Sequence, residues 1–236
     1  MTKNQIINRV KEIILKYSKP NRIYLFGSQA SGEATKFSDI DIAYDDKDSK
    51  NDLIIKDEIN KIETLVKIDI KNIAKTGDRF ANRVKSTAKI LYSANKQLRA
   101  EDGLYNFNNA LIKFTSALNI QNELIEDGFE DIVLDLIVKR FEFTYEMSWK
   151  ALKRYLDFLG IEAKSPRGVF KEAYAQGILE EERVWLDMLE QRNISSHIYD
   201  EFEIREILTK VDKFQKAFKN LKDKIDRGLN EKTFIT

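Results

Sequence analysis

After Ser93 the pattern of the chain changes, and that change limits the folds open to it. Up to that point short apolar runs alternate with helical stretches, whereas from there on almost every segment repeats at the helical period. Only two prolines and nine glycines occur among 236 residues, so few positions can interrupt long helices. The first part predicts a helix over 3–18, strands over 22–27, 38–44, 64–71 and 89–92, and helices over 49–62 and 77–88. The second predicts helices over 103–125, 129–159, 165–176, 180–198 and 201–227, after a polar connector Ala94-Asn95-Lys96-Gln97. Ser165-Pro166 is a helix start, a capping serine before a proline at the first helical position. The expected architecture is an α+β N-terminal domain, a small mixed sheet with helices, over 1–94. An all-α up-and-down helical bundle follows over 95–236.

Charge divides at the same place. Residues 1–95 hold 18 Lys and Arg against 13 Asp and Glu, and residues 96–236 hold 22 against 26, so a basic half joins an acidic one under a net charge of +1. That balance argues against a strongly basic nucleic-acid scaffold and leaves a local basic groove open. The sequence has no cysteine, which excludes disulfide partners and thiolate metal sites. The first segment spaces Ile6, Ile7, Val10, Ile13 and Ile14 along one helical face, as a surface helix and not a signal peptide would. No stretch approaches 18 apolar residues, and the expectation is a cytoplasmic protein with no membrane partner.

The chemistry concentrates in YLFGSQASGEATKFSDIDIAYDD. The run Ile23-Tyr24-Leu25-Phe26 reads as a buried strand that delivers Gly27 and Ser28 to a turn able to dock a phosphate. Ten residues later, period-two alternation puts Asp39 and Asp41 on one strand face, with Ile40 and Ile42 on the other. Two carboxylates at ~4 Å repel by roughly 4 kcal/mol at an effective dielectric near 20, so a fold that aims both at one spot calls for a cation. Hard oxygen ligands select Mg²⁺ or Mn²⁺. Asp69, opposite Ile68 and Ile70 in the next alternating run, supplies a third carboxylate. Three carboxylates beside a Gly-Ser turn form the pattern of a two-metal phosphoryl-transfer site.

This Gly-Ser-x10-Asp-x-Asp segment resembles the signature of the nucleotidyltransferase superfamily that includes DNA polymerase β, and its brevity is similar to the minimal nucleotidyltransferases that act as MNT antitoxins. The resemblance implies transfer of a nucleoside monophosphate from ATP as substrate. It assigns Gly27 and Ser28 to the triphosphate, Asp39 and Asp41 to the metals, and Asp69 to the third carboxylate that helps activate the acceptor. Many members carry arginine directly after Gly-Ser. Here stand Gln29 and Ala30, which implies a weaker clamp or another basic residue in that role.

A second constellation, Gln191-Arg192-Asn193-Ile194-Ser195-Ser196-His197-Ile198-Tyr199, contains the only histidine. Histidine exchanges a proton near neutral pH, and arginine offers a permanent cation suited to a phosphodiester. On an ideal helix Arg192 and Tyr199 share a face while His197 lies about 140° round from Arg192. A groove seen by all three needs a helix end, a kink, or a second copy across a dimer. Spacing alone leaves a structural role and a catalytic role for His197 equally open. The pattern Arg-x4-His-x-Tyr resembles the HEPN helical-bundle superfamily, whose members pair with minimal nucleotidyltransferases as toxin and antitoxin. The helical half also resembles the nucleotidyltransferase substrate-binding proteins. These resemblances imply that Arg192 and His197 are metal-independent RNase residues, Asn193 a supporting polar residue, and Tyr199 the tyrosine that the partner enzyme adenylylates.

The expectation is an ATP- and Mg²⁺-dependent adenylyltransferase fused to its own HEPN target, a homodimer through the helical half with RNA as a further partner. Two alternatives stand beside it. One is a nucleotidyltransferase acting on a small hydroxylated substrate docked by the helical domain, and the other a non-catalytic nucleotide-binding assembly module. Phe141, Tyr145 and Trp149 share one helical stripe and read as core packing, and the lysines from Lys210 to Lys224 as a solvated face.

Overall fold

The computed structural model of the chain describes the backbone of residues 1–35, 37–195 and 201–233, and the side chains of these except 194, 195, 201–206, 232 and 233. It divides into two compact units, Met1–Leu98 and Arg99–Thr236.

The first unit begins with α1 (Lys3–Tyr17), started by a capping box in which Thr2 accepts from the Gln5 N–H and donates its own N–H to the Gln5 side chain at 2.7 Å. Its predicted stripe, Ile6, Ile7, Val10, Ile13 and Ile14, is buried. The strands β1 (Arg22–Phe26), β2 (Ile40–Tyr44), β3 (Ile68–Asn72) and β4 (Lys89–Ser93) form one mixed sheet in the order β3-β2-β1-β4. β2 and β3 run parallel, and the other pairs are antiparallel. Alternate residues face opposite layers. Ile23, Leu25, Ile40, Ile42 and Tyr44 pack with α1 and α3 (Asp52–Asn60). Tyr24 and Ala43 pack with Ile73 of a 3-10 turn, Ile73–Lys75, and with Ala81 and Val84 of α4 (Asp78–Thr87). Because both faces of β1 and β2 are covered there, β1 reads as an unbroken apolar run and not an alternating one.

Behind the far end of β2 lies a polar knot. The Asp52 carboxylate accepts from the Tyr44 and Ser49 hydroxyls at 2.6 Å each, from the Lys75 ammonium at 2.6 Å and from the Asn72 amide at 3.2 Å. Burial alone would raise its pKa, but these donors outweigh it and bring the group to about 2.

The second unit holds all but the first residues of α5 (Lys96–Glu126), with α6 (Glu130–Phe158), α7 (Pro166–Ala175), α8 (Glu182–Ser195) and α9 (Glu201–Thr233). α5 begins well before the expected residue 103, because Asn95 caps it: its side-chain oxygen accepts the Leu98 N–H at 2.8 Å. Ser165 caps α7 by accepting from Gly168 N–H at 3.2 Å, with Pro166 opening the helix. The core is aromatic. Phe141 of α6 is fully buried and stacks on Phe214 of α9, ring centroids 5.1 Å apart and 23° between planes. Phe114 of α5 and Trp185 of α8 both meet Phe218 edge-on. Tyr145 is buried beside Phe141, and Trp149 packs at the core margin. Lys213, Lys216 and Lys219 lie on the exposed side of α9.

The depressed Asp52 pKa has a definite sign. Its contribution to stability is present above the ordinary carboxylate pKa near 3.9 and is lost as pH falls through about 2. Asp52→Asn is expected to destabilise the protein at pH 7 by about 1 kcal/mol after solvent screening, with the difference from wild type closing near pH 2. Thermal melts at the two pH values check this. An equal deficit at both would place the loss in the neutral hydrogen bonds and not in the charge.

Candidate functional site

The end of β1 fixes the first group of residues. Gly27 follows Phe26 with φ +69° and ψ −156°, a conformation that side-chain-bearing residues rarely adopt. A Cβ built there would lie 2.3 Å from Asp41 Oδ2. The absent side chain is therefore what lets the turn close against that carboxylate. Ser28 opens the short helix α2 (Ser28–Ser31), where a plain polar loop was expected. Strand register does the rest: Asp41 lies opposite Phe26 on one side and Asp69 on the other. Strands so paired are ~4.8 Å apart. Asp39 sits just ahead of β2, where the Ile40 N–H donates to the Lys67 carbonyl at 2.9 Å. The loop that leads to it is tied to α1, because the Lys3 ammonium donates to the carbonyls of both Thr35 and Ser38 at 2.9 Å.

Burial, then the charge of Asp69, then that of Asp39 raise the Asp41 pKa, and Lys67 opposes them. Each of the other two carboxylates faces its own lysine. Lys67 Nζ is 3.3 Å from Asp39 Oδ2, and Lys71 Nζ is 3.5 Å from Asp69 Oδ1. Gly27, Ser28, Asp39, Asp41 and Asp69 thus lie at one end of the sheet, around the C-terminus of β1 and the N-termini of β2 and β3. Among the described residues, however, no three acidic or histidine side chains are gathered closely enough to hold a metal ion. The donor set is right in kind, hard oxygens that repel one another, and two of its three members are engaged by ammonium groups. Asp39, Asp41 and Asp69 thus have the donor chemistry of a divalent-cation site without standing in the geometry of one.

Arg192 occupies the last turns of α8, with its Nη2 3.1 Å from Glu146 Oε1 on α6. Glu146 also accepts from Trp149 Nε1 at 3.0 Å and meets Lys150 Nζ at 3.2 Å. Burial would raise its pKa, but these donors and the Lys150 and Arg192 charges bring it below the usual carboxylate range. The Tyr145 hydroxyl beside it is buried and has no hydrogen-bond partner among the described residues. Burial and the Glu146 charge push that phenol up, with Arg192 opposing. Lys139, Glu142, Phe143, Glu146 and Arg192 line an open recess of about 520 Å³. Asn193 is exposed next to Arg192. His197 and Tyr199 lie outside the described residues.

Sequence reasoning missed Glu146, which sits inside an apolar aromatic run where its charge reads as incidental. Its position four residues before Lys150 was the available signal. It also missed Lys67 and Lys71, although the alternation Lys67-x-Asp69-x-Lys71 places all three on one strand face.

Because Asp41 is more easily protonated when folded, its contribution to stability is greatest below the ordinary carboxylate range and is lost as pH rises through the raised value. Asp41→Asn keeps that position neutral and removes its repulsion with Asp69 and Asp39, so in the presence of a chelator the variant is expected to be as stable as wild type at pH 7, or more so. Urea titration checks this, and a marked loss of stability would make Asp41 a structural residue.

Residues 102–227 match the family model "Nucleotidyltransferase substrate binding protein like", and residues 8–97 match "Polymerase beta, Nucleotidyltransferase". Among curated proteins, "Probable ribonuclease HepT" of Haemophilus influenzae is 29% identical over 90 residues, 36% of this chain and 62% of that protein. The chain therefore spans about three fifths of the length of that curated relative. Two solved structures are similar. A protein of Thermus thermophilus is 30% identical, over 46% of this chain and 98% of that one, with a TM-score of 0.40. A Haemophilus influenzae protein, described as revealing the fold of a substrate binding domain of a nucleotidyltransferase, is 23% identical over 52% and 98%, with a TM-score of 0.47. The chain belongs to the nucleotidyltransferase substrate-binding-protein-like family through its helical part, and carries a polymerase-β-like nucleotidyltransferase domain ahead of it.

Proposed function

We propose that the first unit transfers AMP from ATP to the Tyr199 hydroxyl, and that this modification controls a metal-independent RNase built on Arg192 and His197. The observation that carries the reading is the close approach of Gly27 to the Asp41 carboxylate, with Asp69 in register beside it, in a segment that matches the nucleotidyltransferase model. Gly27 and Ser28 seat the triphosphate. Asp39, Asp41 and Asp69 hold Mg²⁺ or Mn²⁺, which when bound offsets their mutual repulsion and the charge of the triphosphate. A tyrosine hydroxyl is a poor nucleophile at its ordinary pKa near 10, so Asp69 takes the phenol proton. The phenol oxygen bonds to the α-phosphorus while the bond to pyrophosphate breaks.

On the helical unit, Glu146 holds the Arg192 guanidinium in the recess where an RNA phosphate would bind. His197 exchanges the proton. The name of the curated relative, a probable ribonuclease, supports this half of the reading. AMP on Tyr199 adds bulk and negative charge two residues from His197 and silences cleavage. A symmetric homodimer would complete a groove that Arg192 and His197 on one ideal helix cannot both face. Ile132 and Phe143, 64% and 50% exposed on α6, supply an apolar surface for it.

A second reading keeps the transferase and gives it a small hydroxylated acceptor. The family description, substrate binding, favours it. So does a recess of about 340 Å³ between α7 and α8, with Phe170 and Trp185 beneath and Arg167 and Lys171 at its rim. The third, non-catalytic reading has no observation of its own.

The deciding measurement is the intact mass of the protein as isolated from cells, where an added AMP is expected. Labelled ATP should mark the wild type and not Tyr199→Phe. That variant should be toxic on expression, while Tyr199→Phe with His197→Ala is tolerated. Undiminished label on Tyr199→Phe moves the acceptor elsewhere, and pyrophosphate release that requires an added small acceptor selects the second reading. Light scattering is expected to give a dimer, and a strict monomer with intact RNase activity defeats the composite groove.

A further inference from the structure

Two of the three carboxylates of the transfer site, Asp39 and Asp69, are paired with lysines. Lys67, Asp69 and Lys71 occupy every second position of one stretch, so all three point to the face that Asp41 shares. Lys67 reaches across to Asp39 at 3.3 Å, and Lys71 stays on its own strand with Asp69 at 3.5 Å. Both pairs face solvent, the lysine side chains 75% and 48% exposed and each aspartate 43%. Exposed pairs of this kind are weak and easily exchanged. A divalent cation offered the same carboxylates outcompetes an ammonium ion, because it carries twice the charge and accepts several oxygens at once.

The second observation is a missing charge. The turn that would seat the triphosphate runs Gly27-Ser28-Gln29-Ala30, and no lysine or arginine occurs in Ser28–Ser31. A nucleoside triphosphate carries about four negative charges, and such a ligand calls for cations close by. The two lysines that the metal would release are on the correct face of the correct strand, on flexible four-carbon stems able to turn toward it.

We propose that Lys67 and Lys71 are exchangeable counter-ions: they neutralise Asp39 and Asp69 in the metal-free protein and, once these carboxylates hold a divalent cation, turn to the triphosphate oxygens of the nucleotide. The inference rests on the nucleotidyl-transfer reading and adds the residues that stand in for the absent arginine. Its consequence is a coupling of opposite signs. The same two side chains oppose metal binding without nucleotide and favour nucleotide binding with metal.

The experiment is a pair of titrations on the full chain. Mn²⁺ is followed by electron paramagnetic resonance without nucleotide, and a non-hydrolysable ATP analogue is followed calorimetrically at saturating Mn²⁺. Lys67→Met with Lys71→Met is expected to bind Mn²⁺ about tenfold more tightly and the analogue at least tenfold more weakly. Lys67→Arg with Lys71→Arg, which keeps both charges, should restore binding of the analogue. If the double Met variant fails to fold by circular dichroism, each single variant should show the same two opposed shifts at smaller size. Unchanged or weaker Mn²⁺ affinity, or unchanged affinity for the analogue, overturns the proposal while leaving the transfer reading standing. Failure of wild type to bind Mn²⁺, or Mn²⁺ binding untouched by Asp39→Asn with Asp41→Asn, overturns both.

Discussion

Parallel pairing of β2 with β3 sets Asp41 beside Asp69 at one end of the sheet, where burial first, and the Asp69 and Asp39 charges after it, raise the Asp41 pKa. A register slipped by one residue would turn Asp69 away and bring Ile68 or Ile70 to the same face. The pairing is held by apolar residues that the chemistry never touches: Ile40 and Ile42 on β2, and Ile68 and Ile70 on β3, pack on the layer formed by α1 and α3. The residues that specify the fold thus lie on one face of two strands, and those that carry the charge lie on the other. Gly27 completes the arrangement by omission, since any side chain there would occupy the space of the Asp41 carboxylate.

Much of this was legible in the sequence because the code of a strand is simple. Period-two alternation predicts that Asp39 and Asp41 share a face, and the apolar run 23–26 predicts the strand that delivers Gly27. What alternation does not contain is partnership. Nothing in the order of residues says that Lys67 reaches Asp39 across to the next strand, or that Glu146 on α6 meets Arg192 on α8. Such contacts depend on side-chain reach and on which elements become neighbours. The early start of α5 has a local cause that was readable: Asn95 is a good cap, but it stands in a polar tetrapeptide that also fits a linker.

The helical unit distributes polarity differently. Its centre is closed by stacked and edge-on rings, Phe107, Phe114, Phe141, Phe214 and Phe218, while its charged groups meet at the margin. Glu146 ties the two regions together: its neighbour Tyr145 is in the core, and its carboxylate holds Arg192 at the rim of the recess. The buried Tyr145 hydroxyl has no hydrogen-bond partner among the described residues, a cost that phenylalanine at that position would avoid. Its position beside the Glu146–Arg192 pair places that cost next to the residues with a chemical reading.

Covalent linkage changes what the proposed transfer must achieve. An enzyme and an acceptor on separate chains meet at the concentration of the free partner, whereas two sites joined by one chain meet at an effective concentration that reaches millimolar for short flexible links. For transfer within one chain the triphosphate clamp can be weak, because turnover need happen only once per acceptor and does not compete with dissociation of a partner. Gln29 and Ala30 where a fixed arginine would stand are consistent with that relaxed demand. A pair of lysines that serve first the carboxylates and then the phosphates supplies binding only when metal is present, which ties the occupancy of one site to the other through electrostatics alone.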